Sequence, residues 1–249
     1  MEINHECLGE GEPLLFLHGW GHSISRGRPM GELMQSKREV HLLDLPGFGK
    51  SAMPDDVWST FDYADRIAAY MDEKGIVKAD IAGHSFGGKI ALCMAIRHPH
   101  RVKNLILMAT SGFRRCIPRK KRARAQALRW AGKGVKVVDA LLSTKFFQGR
   151  FVPTFGSSDY QMAGPMRAIL VKTLRDDLTK ELSSVRCPTL ILWGEQDFVT
   201  PVSIAHHLNR HIANSTLIFH PNKGHLLYDD VGAHLCAKHI LSFLEAVNG

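Results

Sequence analysis

The hexapeptide Gly83-His84-Ser85-Phe86-Gly87-Gly88 constrains this chain more than any other feature. A short apolar run, Ala79-Asp-Ile-Ala, precedes it, and a helix-patterned stretch, Lys89-Ile-Ala-Leu-Cys-Met-Ala, follows. Small residues flanking a serine permit a turn so sharp that a strand runs straight into a helix, with the hydroxyl projecting beyond the strand end. A glycine-rich turn with an incidental serine is the alternative, and it asks nothing of the rest of the chain. The strand–turn–helix reading asks for a parallel sheet and for partner residues after later strands.

The surrounding sequence has that form. Apolar runs at Ile3–Leu8, Pro13–Leu17, Val40–Leu43, Ala79–Ala82, Leu105–Met108, Thr189–Trp193 and Thr216–His220 are mostly bounded by Gly, Pro or Asp, as strands buried on both faces are. Helical patterns lie between them at Phe61–Lys74, Phe86–His98, Pro201–His211 and Val231–Val247. The first places Phe61, Ala64, Ile67, Ala68 and Met71 on one face behind the caps Ser59 and Thr60, and Pro99 stops the second. The expectation is a three-layer α/β fold with a mostly parallel sheet of about seven strands. A chain of 249 residues, 45% hydrophobic, can bury one such core. Residues 113–184 break the alternation, with Gly and Pro punctuation but no strand pattern. They are expected to form a helical lid inserted into a core made of 1–112 and 185–249.

A serine hydroxyl becomes a nucleophile only beside a base, and the base needs an acid to orient it. In a sheet of this kind the order is serine, acid, histidine, each after its own strand. Thr189-Leu-Ile-Leu-Trp-Gly-Glu-Gln-Asp197 is a strand ending in a turn with carboxylates, and Asp197 lies further into the loop than Glu195. Leu217-Ile-Phe-His-Pro-Asn-Lys-Gly-His225 is the next strand ending in a histidine, which singles out His225 among fourteen. Ser85, Asp197 and His225 are the expected catalytic set. The oxyanion of the tetrahedral intermediate needs two backbone N–H donors. Phe86, at a helix N-terminus, offers one, and Trp20, in Leu17-His18-Gly19-Trp20-Gly21 after an early strand, offers the second. The Trp20 indole either lines an acyl pocket or packs in the core. The chemistry expected is two-step acyl transfer to water, with no metal and no organic cofactor.

On these residues the chain resembles the α/β-hydrolase fold family over essentially its whole length. The matching pieces are His18-Gly19-Trp20-Gly21, Asp44-Leu-Pro-Gly47-Phe-Gly49, the Ser85 turn, Gly194…Asp197 and Gly224-His225. The resemblance implies a serine hydrolase, foremost a carboxylesterase acting on a small to medium acyl ester. It gives Asp44 a structural role and implies a sheet lacking the family's first edge strand. Haloalkane dehalogenases and epoxide hydrolases carry an aspartate where this chain has Ser85. The C–C hydrolases of ring-cleavage products usually carry a Gly-Pro-Gly-like loop after His-Gly, absent here. The His18 loop and Leu45-Pro-Gly-Phe-Gly are similar to the esterases that demethylate pimeloyl-acyl-carrier-protein methyl ester, although the residues either side of the serine there are typically Trp and Leu. A slow-turnover receptor on the same fold and an acyltransferase are the alternatives.

The formal charge of +8 is unevenly placed. Between Arg114 and Arg150 stand twelve Lys and Arg against Asp139 alone, a balance of +11, leaving the remainder at −3. A helix from Pro118 would put Ala123, Ala127, Leu128 and Ala131 on one face and most cations opposite. Arg114, Arg115, Arg119, Lys120, Lys121, Arg122, Arg124 and Arg129 are then either a solvated face or a patch for an acidic partner, an acyl carrier protein or CoA. Nucleic acid is not expected, for want of a recognised motif and of interleaved aromatics. Phe146, Phe147, Phe151, Phe155 and Met162 either line an acyl tunnel or anchor the insertion to the core.

Five cysteines stand singly, with no C-x-x-C pair, which argues against a disulfide framework and a zinc knuckle. His84 is expected to pack away from the serine hydroxyl, and His206, His207 and His211 to decorate a helix surface. With no signal-like leader and no apolar run approaching the roughly 20 residues of a membrane span, a cytoplasmic setting is expected.

Overall fold

Strands β1 (His5–Leu8), β2 (Pro13–Leu17), β3 (Glu39–Leu43), β4 (Ala79–His84), β5 (Val102–Met108), β6 (Thr189–Gly194) and β7 (Ser215–His220) pair into one sheet in the order β1-β3-β2-β4-β5-β6-β7. Only β1, antiparallel to β3, breaks the parallel arrangement among the described residues. This computed structural model describes residues 1–113, 119–142, 144–147, 150, 154, 158–229 and 231–248, with the backbone alone at 119–122, 125, 129, 142 and 158. The fold is the expected α/β architecture with a mostly parallel seven-stranded sheet. The strand order has a functional consequence. The chain leaves β2 toward β3 and then crosses back to β4, so the crevice beyond the carboxyl ends of β2 and β4 is a topological switch point, where open α/β sheets bind ligands.

The described helices are α1 (Ile24–Met34), α2 (Thr60–Glu73), α3 (Phe86–Arg97), α4 (Arg119–Leu142), α5 (Ser158–Met162), α6 (Arg167–Thr173), α7 (Val202–His211) and α8 (Val231–Asn248). Residues of α1 and α8 pack on one sheet face and those of α2, α3 and α7 on the other, giving two buried clusters. Helix α2 starts at a capping box in which Ser59 and Asp62 satisfy each other's orphan amides. Thr60, expected as a second cap, instead donates its amide and hydroxyl to Asp176 Oδ2 at 2.8 and 2.7 Å, tying α2 to the end of the insertion.

Helix α1 was not legible in the sequence, because Gly27, Pro29 and Gly31 argue against a helix. It packs so close to the sheet that a Cβ on Gly27 would lie 2.7 Å from the Phe16 ring. Its first amide, Ile24 N–H, donates to Asp44 Oδ1 at 2.7 Å. The same carboxylate accepts from Asn4 Nδ2 and Lys50 N at 2.7 and 2.8 Å, which is the structural role expected of Asp44.

Between β5 and β6 the described elements are helical. In α4 the less exposed positions are Leu128, Gly132, Val135 and Asp139, at helical spacing, whereas Ala123, Ala127 and Ala131 are exposed. This corrects the face drawn from the sequence. Alanine presents so little apolar surface that its burial is a weak orienting force.

Candidate active site

Ser85 sits between β4 and α3 with φ 51° and ψ −108°, a left-handed conformation for a residue that bears a Cβ. Such a conformation costs on the order of 1–3 kcal/mol and persists only where the surroundings over-determine it. Here Ser85 N–H donates to Met108 O at 2.9 Å, while its carbonyl accepts from Lys89 N and Ser111 N at 3.1 and 3.2 Å. The flanking glycines are required by close approach: a Cβ on Gly87 would stand 2.1 Å from Leu17 O, and one on Gly83 would stand 2.3 Å from Gly87 O. The turn thus wedges α3 against the end of β2 and presents the Ser85 hydroxyl above the sheet.

The loops after β6 and β7 press together at Gly194, where a Cβ would meet Gly224 O and Lys223 O at 2.3 Å. Gln196 N–H donates to Lys223 O at 2.9 Å, which sets the two loops in register. Asp197 is buried and Glu195 exposed. Asp197 Oδ1 accepts from Val199 N and Thr200 N, both at 2.8 Å. Its Oδ2 accepts from the Thr200 hydroxyl at 2.6 Å and from His225 Nδ1–H at 2.8 Å. Burial works to raise the Asp197 pKa, but hydrogen bonds from His225 and Thr200 outweigh it and hold the carboxyl below its usual range. With the proton of His225 fixed on Nδ1 by an acceptor-only carboxylate, Nε2 is left to accept from the Ser85 hydroxyl at 3.0 Å. The structure therefore brings Ser85, His225 and Asp197 into one hydrogen-bonded chain.

Thr200 is a further member of this network, outside the set expected from the sequence. Its backbone carbonyl accepts from the buried Trp193 indole N–H at 2.9 Å, and its hydroxyl lies 3.1 Å from Ala109 O. The Asp-x-x-Thr spacing was the available signal, since a threonine three residues after an aspartate closes a turn on its carboxylate.

Trp20 and Phe86 flank Ser85 with ring centroids 5.2 Å apart, edge to face. Among the described residues neither backbone amide is engaged by another acceptor. Both line a cavity of about 220 Å³ together with Ser85, Lys89, Phe113, Leu170, Leu174 and Ile204. The other described residues expected to contact an acyl group are elsewhere. Phe146 and Met162 are 51% and 76% exposed and do not line this cavity. Phe147 is buried, but under the Lys136 ammonium, 4.5 Å from its ring centroid. Phe151 and Phe155 lie outside the described residues, as do Arg114 and Arg115. Of the remaining cations of the basic segment, Arg119, Lys120, Lys121, Arg122 and Arg129 are placed on α4 by their backbone alone, and Arg124 is exposed. On α7, the His207 and His211 rings lie 4.2 Å apart and tilted, with His211 Nδ1–H donating to the His207 carbonyl.

His84 does more than pack. Its Nε2–H donates to the His225 carbonyl at 2.8 Å, and its ring lies 4.9 Å from the His225 ring. Burial, reinforced by His225, drives its pKa down to about 3. Burial likewise lowers His18 to about 4; its Nδ1–H donates to Gly19 O and its Nε2 accepts from Leu45 N–H. Both rings are neutral when folded and titrate near pH 6.5 when unfolded. Between those values the unfolded chain binds more protons, so this part of the stability is complete above about pH 6.5 and is lost as the pH falls. Each ring is expected to cost about 2 kcal/mol between pH 6.5 and pH 5, at about 1.4 kcal/mol per pH unit. Urea unfolding at the two pH values checks this, and equal midpoints would refute it.

A family model described as alpha/beta hydrolase fold matches residues 12–140, and a second, described as TAP-like protein, matches residues 161–248. The chain is 32% identical to a 2-hydroxymuconate semialdehyde hydrolase of Pseudomonas putida, covering 87% of this chain and 82% of the relative. It is 28% identical to a pimeloyl-[acyl-carrier protein] methyl ester esterase of Chromobacterium violaceum, covering 90% and 91%. A thermophilic esterase from Thermogutta terrifontis superposes with a TM-score of 0.74 at 23% identity, covering 99% of this chain and 94% of that one. The lack of a Gly-Pro-Gly-like loop therefore does not separate this chain from proteins named like the first relative.

Proposed function

Because this chain belongs to the alpha/beta hydrolase fold family, we propose that it is a serine hydrolase cleaving carboxylic esters of small to medium acyl chains. The observation that carries the proposal is the chain of hydrogen bonds from Asp197 through His225 to Ser85, at 2.8 and 3.0 Å. Ser85 Oγ attacks the ester carbonyl while His225 Nε2 takes its proton, and Asp197 stabilises the resulting imidazolium. The Trp20 and Phe86 amides receive the oxyanion, with the α3 N-terminus adding its dipole. His225 then returns the proton to the leaving alcohol, and water repeats the cycle on the acyl-enzyme. No step asks for a metal or an organic cofactor.

A cavity of about 220 Å³ has room for about seven heavy atoms at the roughly 30 Å³ each takes in a liquid. Its walls are mainly apolar, and the Lys89 ammonium within them donates to Thr173 O and Asp176 O. Hydrolysis of p-nitrophenyl esters is accordingly expected to peak at medium acyl length and to fall for long chains. Absence of turnover at every length would favour a receptor role, and transfer to an added alcohol or amine would reveal an acyltransferase.

Residues 113–184 act in this proposal as a lid, and their net positive charge supports an acidic leaving group, an acyl carrier protein or CoA. The KM for a carrier-linked ester is then expected to rise several-fold as salt increases from about 0.05 to 0.5 M, because screening shortens the reach of the surface field. The KM for an uncharged p-nitrophenyl ester should stay constant. A carrier-linked KM indifferent to salt would remove the acidic-partner reading.

Carbon–carbon bond hydrolysis is the second reading, favoured by the 32% identity to a 2-hydroxymuconate semialdehyde hydrolase. Turnover of 2-hydroxymuconate semialdehyde with a kcat/KM above that for any ester would put it first.

A further inference from the structure

Cys7, Glu39 and His41 meet at the β1–β3 edge of the sheet. The antiparallel register places Cys7 opposite His41, and Glu39, two residues earlier on β3, shares that face. Cys7 Sγ lies 3.6 Å from Glu39 Oε1 and 4.0 Å from His41 Nε2, and Oε1 lies 2.9 Å from Nε2. Zinc bonds of about 2.3 Å to sulfur and about 2.0 Å to nitrogen and oxygen, at tetrahedral angles, would set these separations at about 3.5, 3.5 and 3.3 Å. Each observed distance is within about 0.5 Å of that target, a difference small side-chain rotations can close. A second observation concerns orientation. Without a metal, His41 Nε2–H donates to the Glu39 carboxylate; when a cation displaces that proton, Tyr70 Oη, from α2 and 2.9 Å from His41 Nδ1, can accept the Nδ1 proton and hold the ring with Nε2 toward the cysteine and glutamate.

The cluster is also reachable, since Cys7 is exposed and the Glu39 side chain is 37% exposed. It lies on β1 and the amino-terminal half of β3, whereas Ser85 stands beyond the carboxyl end of β4, so it is separate from the candidate active site. We infer that Cys7, Glu39 and His41 bind a zinc-type divalent cation, with a water completing the tetrahedron, and that the ion clamps the edge strand β1 to β3. The charged and titratable neighbours facing the site are His5, Tyr70 and Lys74: the His5 ring lies 5.4 Å from the Tyr70 ring, and Lys74 Nζ lies 5.9 Å from it. Burial, with Glu39 alongside, raises the pKa of the Cys7 thiol. Binding must release that proton, so affinity increases with pH.

The test is a titration of untagged, chelator-stripped protein with cobalt(II), followed by zinc. One cobalt per chain is expected, with a near-ultraviolet thiolate-to-metal band and the strong visible bands of a four-coordinate ion, all removed by one equivalent of zinc. Cys7→Ser should abolish the thiolate band, Glu39→Gln and His41→Gln should each weaken binding more than about tenfold, and Cys187→Ser should change nothing. At zinc about 100 times its Kd, the folded-to-unfolded ratio of the wild type should rise about 100-fold, and that of Cys7→Ser should not. A wild-type spectrum with no thiolate band, or a band that survives Cys7→Ser, overturns the inference. The Glu39→Gln change is at a half-exposed position and reports on binding even if His41→Gln disturbs the strand pair.

Discussion

Ser85→Ala is expected to lower kcat toward a p-nitrophenyl ester on the order of 10⁴–10⁶-fold, leaving only what the oxyanion donors and binding contribute. The expectation is so large because in the proposed mechanism the hydroxyl forms the covalent bond, and no other group in the network can replace it. Ser85 Oγ has the His225 Nε2 contact at 3.0 Å, whereas Ser111, which also lines the cavity, is bonded to Ser85 through its backbone. The variant is also a clean one. Alanine keeps the Cβ, so it inherits the same left-handed backbone at φ 51° with neither added strain nor relief, and thermal unfolding should shift by only about 2 °C or less. Retained turnover in Ser85→Ala that disappears in Ser111→Ala would move the nucleophile to Ser111.

Asp197→Asn should cost on the order of 10⁴-fold in kcat at neutral pH, with KM little changed. The reason lies in which oxygen each donor uses. Val199 and Thr200 amides both point at Oδ1, so the asparagine oxygen is held there and its NH₂ takes the place of Oδ2. That NH₂ faces His225 Nδ1, now a donor meeting a donor, and the ring responds by carrying its proton on Nε2. Nε2 can then no longer receive the Ser85 proton. Because hydrogen bonds from His225 and Thr200 hold the wild-type carboxyl below its usual range against the effect of burial, Asp197 remains charged throughout the neutral region. A loss of less than about tenfold would show that Asp197 does not orient the base.

Much of this architecture was readable along the chain because its signals are local. Seven apolar runs marked seven strands, differing from the observed bounds by a few residues at their ends. The Gly-x-Ser-x-Gly-Gly turn and the Gly194…Asp197 turn each carry their own stereochemical reason. A glycine is there because a Cβ would strike a neighbouring backbone, at Gly87 against Leu17 O and at Gly194 against Gly224 O. Helix α1 went unread for the same reason turned around. Gly27 and Gly31 look like helix breakers by propensity, yet they are what lets α1 lie close against Phe16, Leu8 and Leu42. Tertiary packing overrode the local preference.

The amino-acid sequence by itself determined the class of fold, the serine turn and the order of the three residues around it, since each depends on contacts close in the chain or on a strand pattern. Only the tertiary structure decided the rest. Thr200 joins the network because the loop after β6 brings it beside Ala109, just past the end of β5. His84 reaches the His225 carbonyl across 141 positions of sequence. Among the described residues the cavity is lined by Phe113, Leu170 and Ile204, and not by Phe146, Phe147 or Met162. Cys7, Glu39 and His41 escape any spacing rule because strand pairing, 32 and 34 residues apart, is what assembles them. Sequence spacing reports neighbours along one helix or turn; contacts between strands depend on register, which exists only once the sheet has closed.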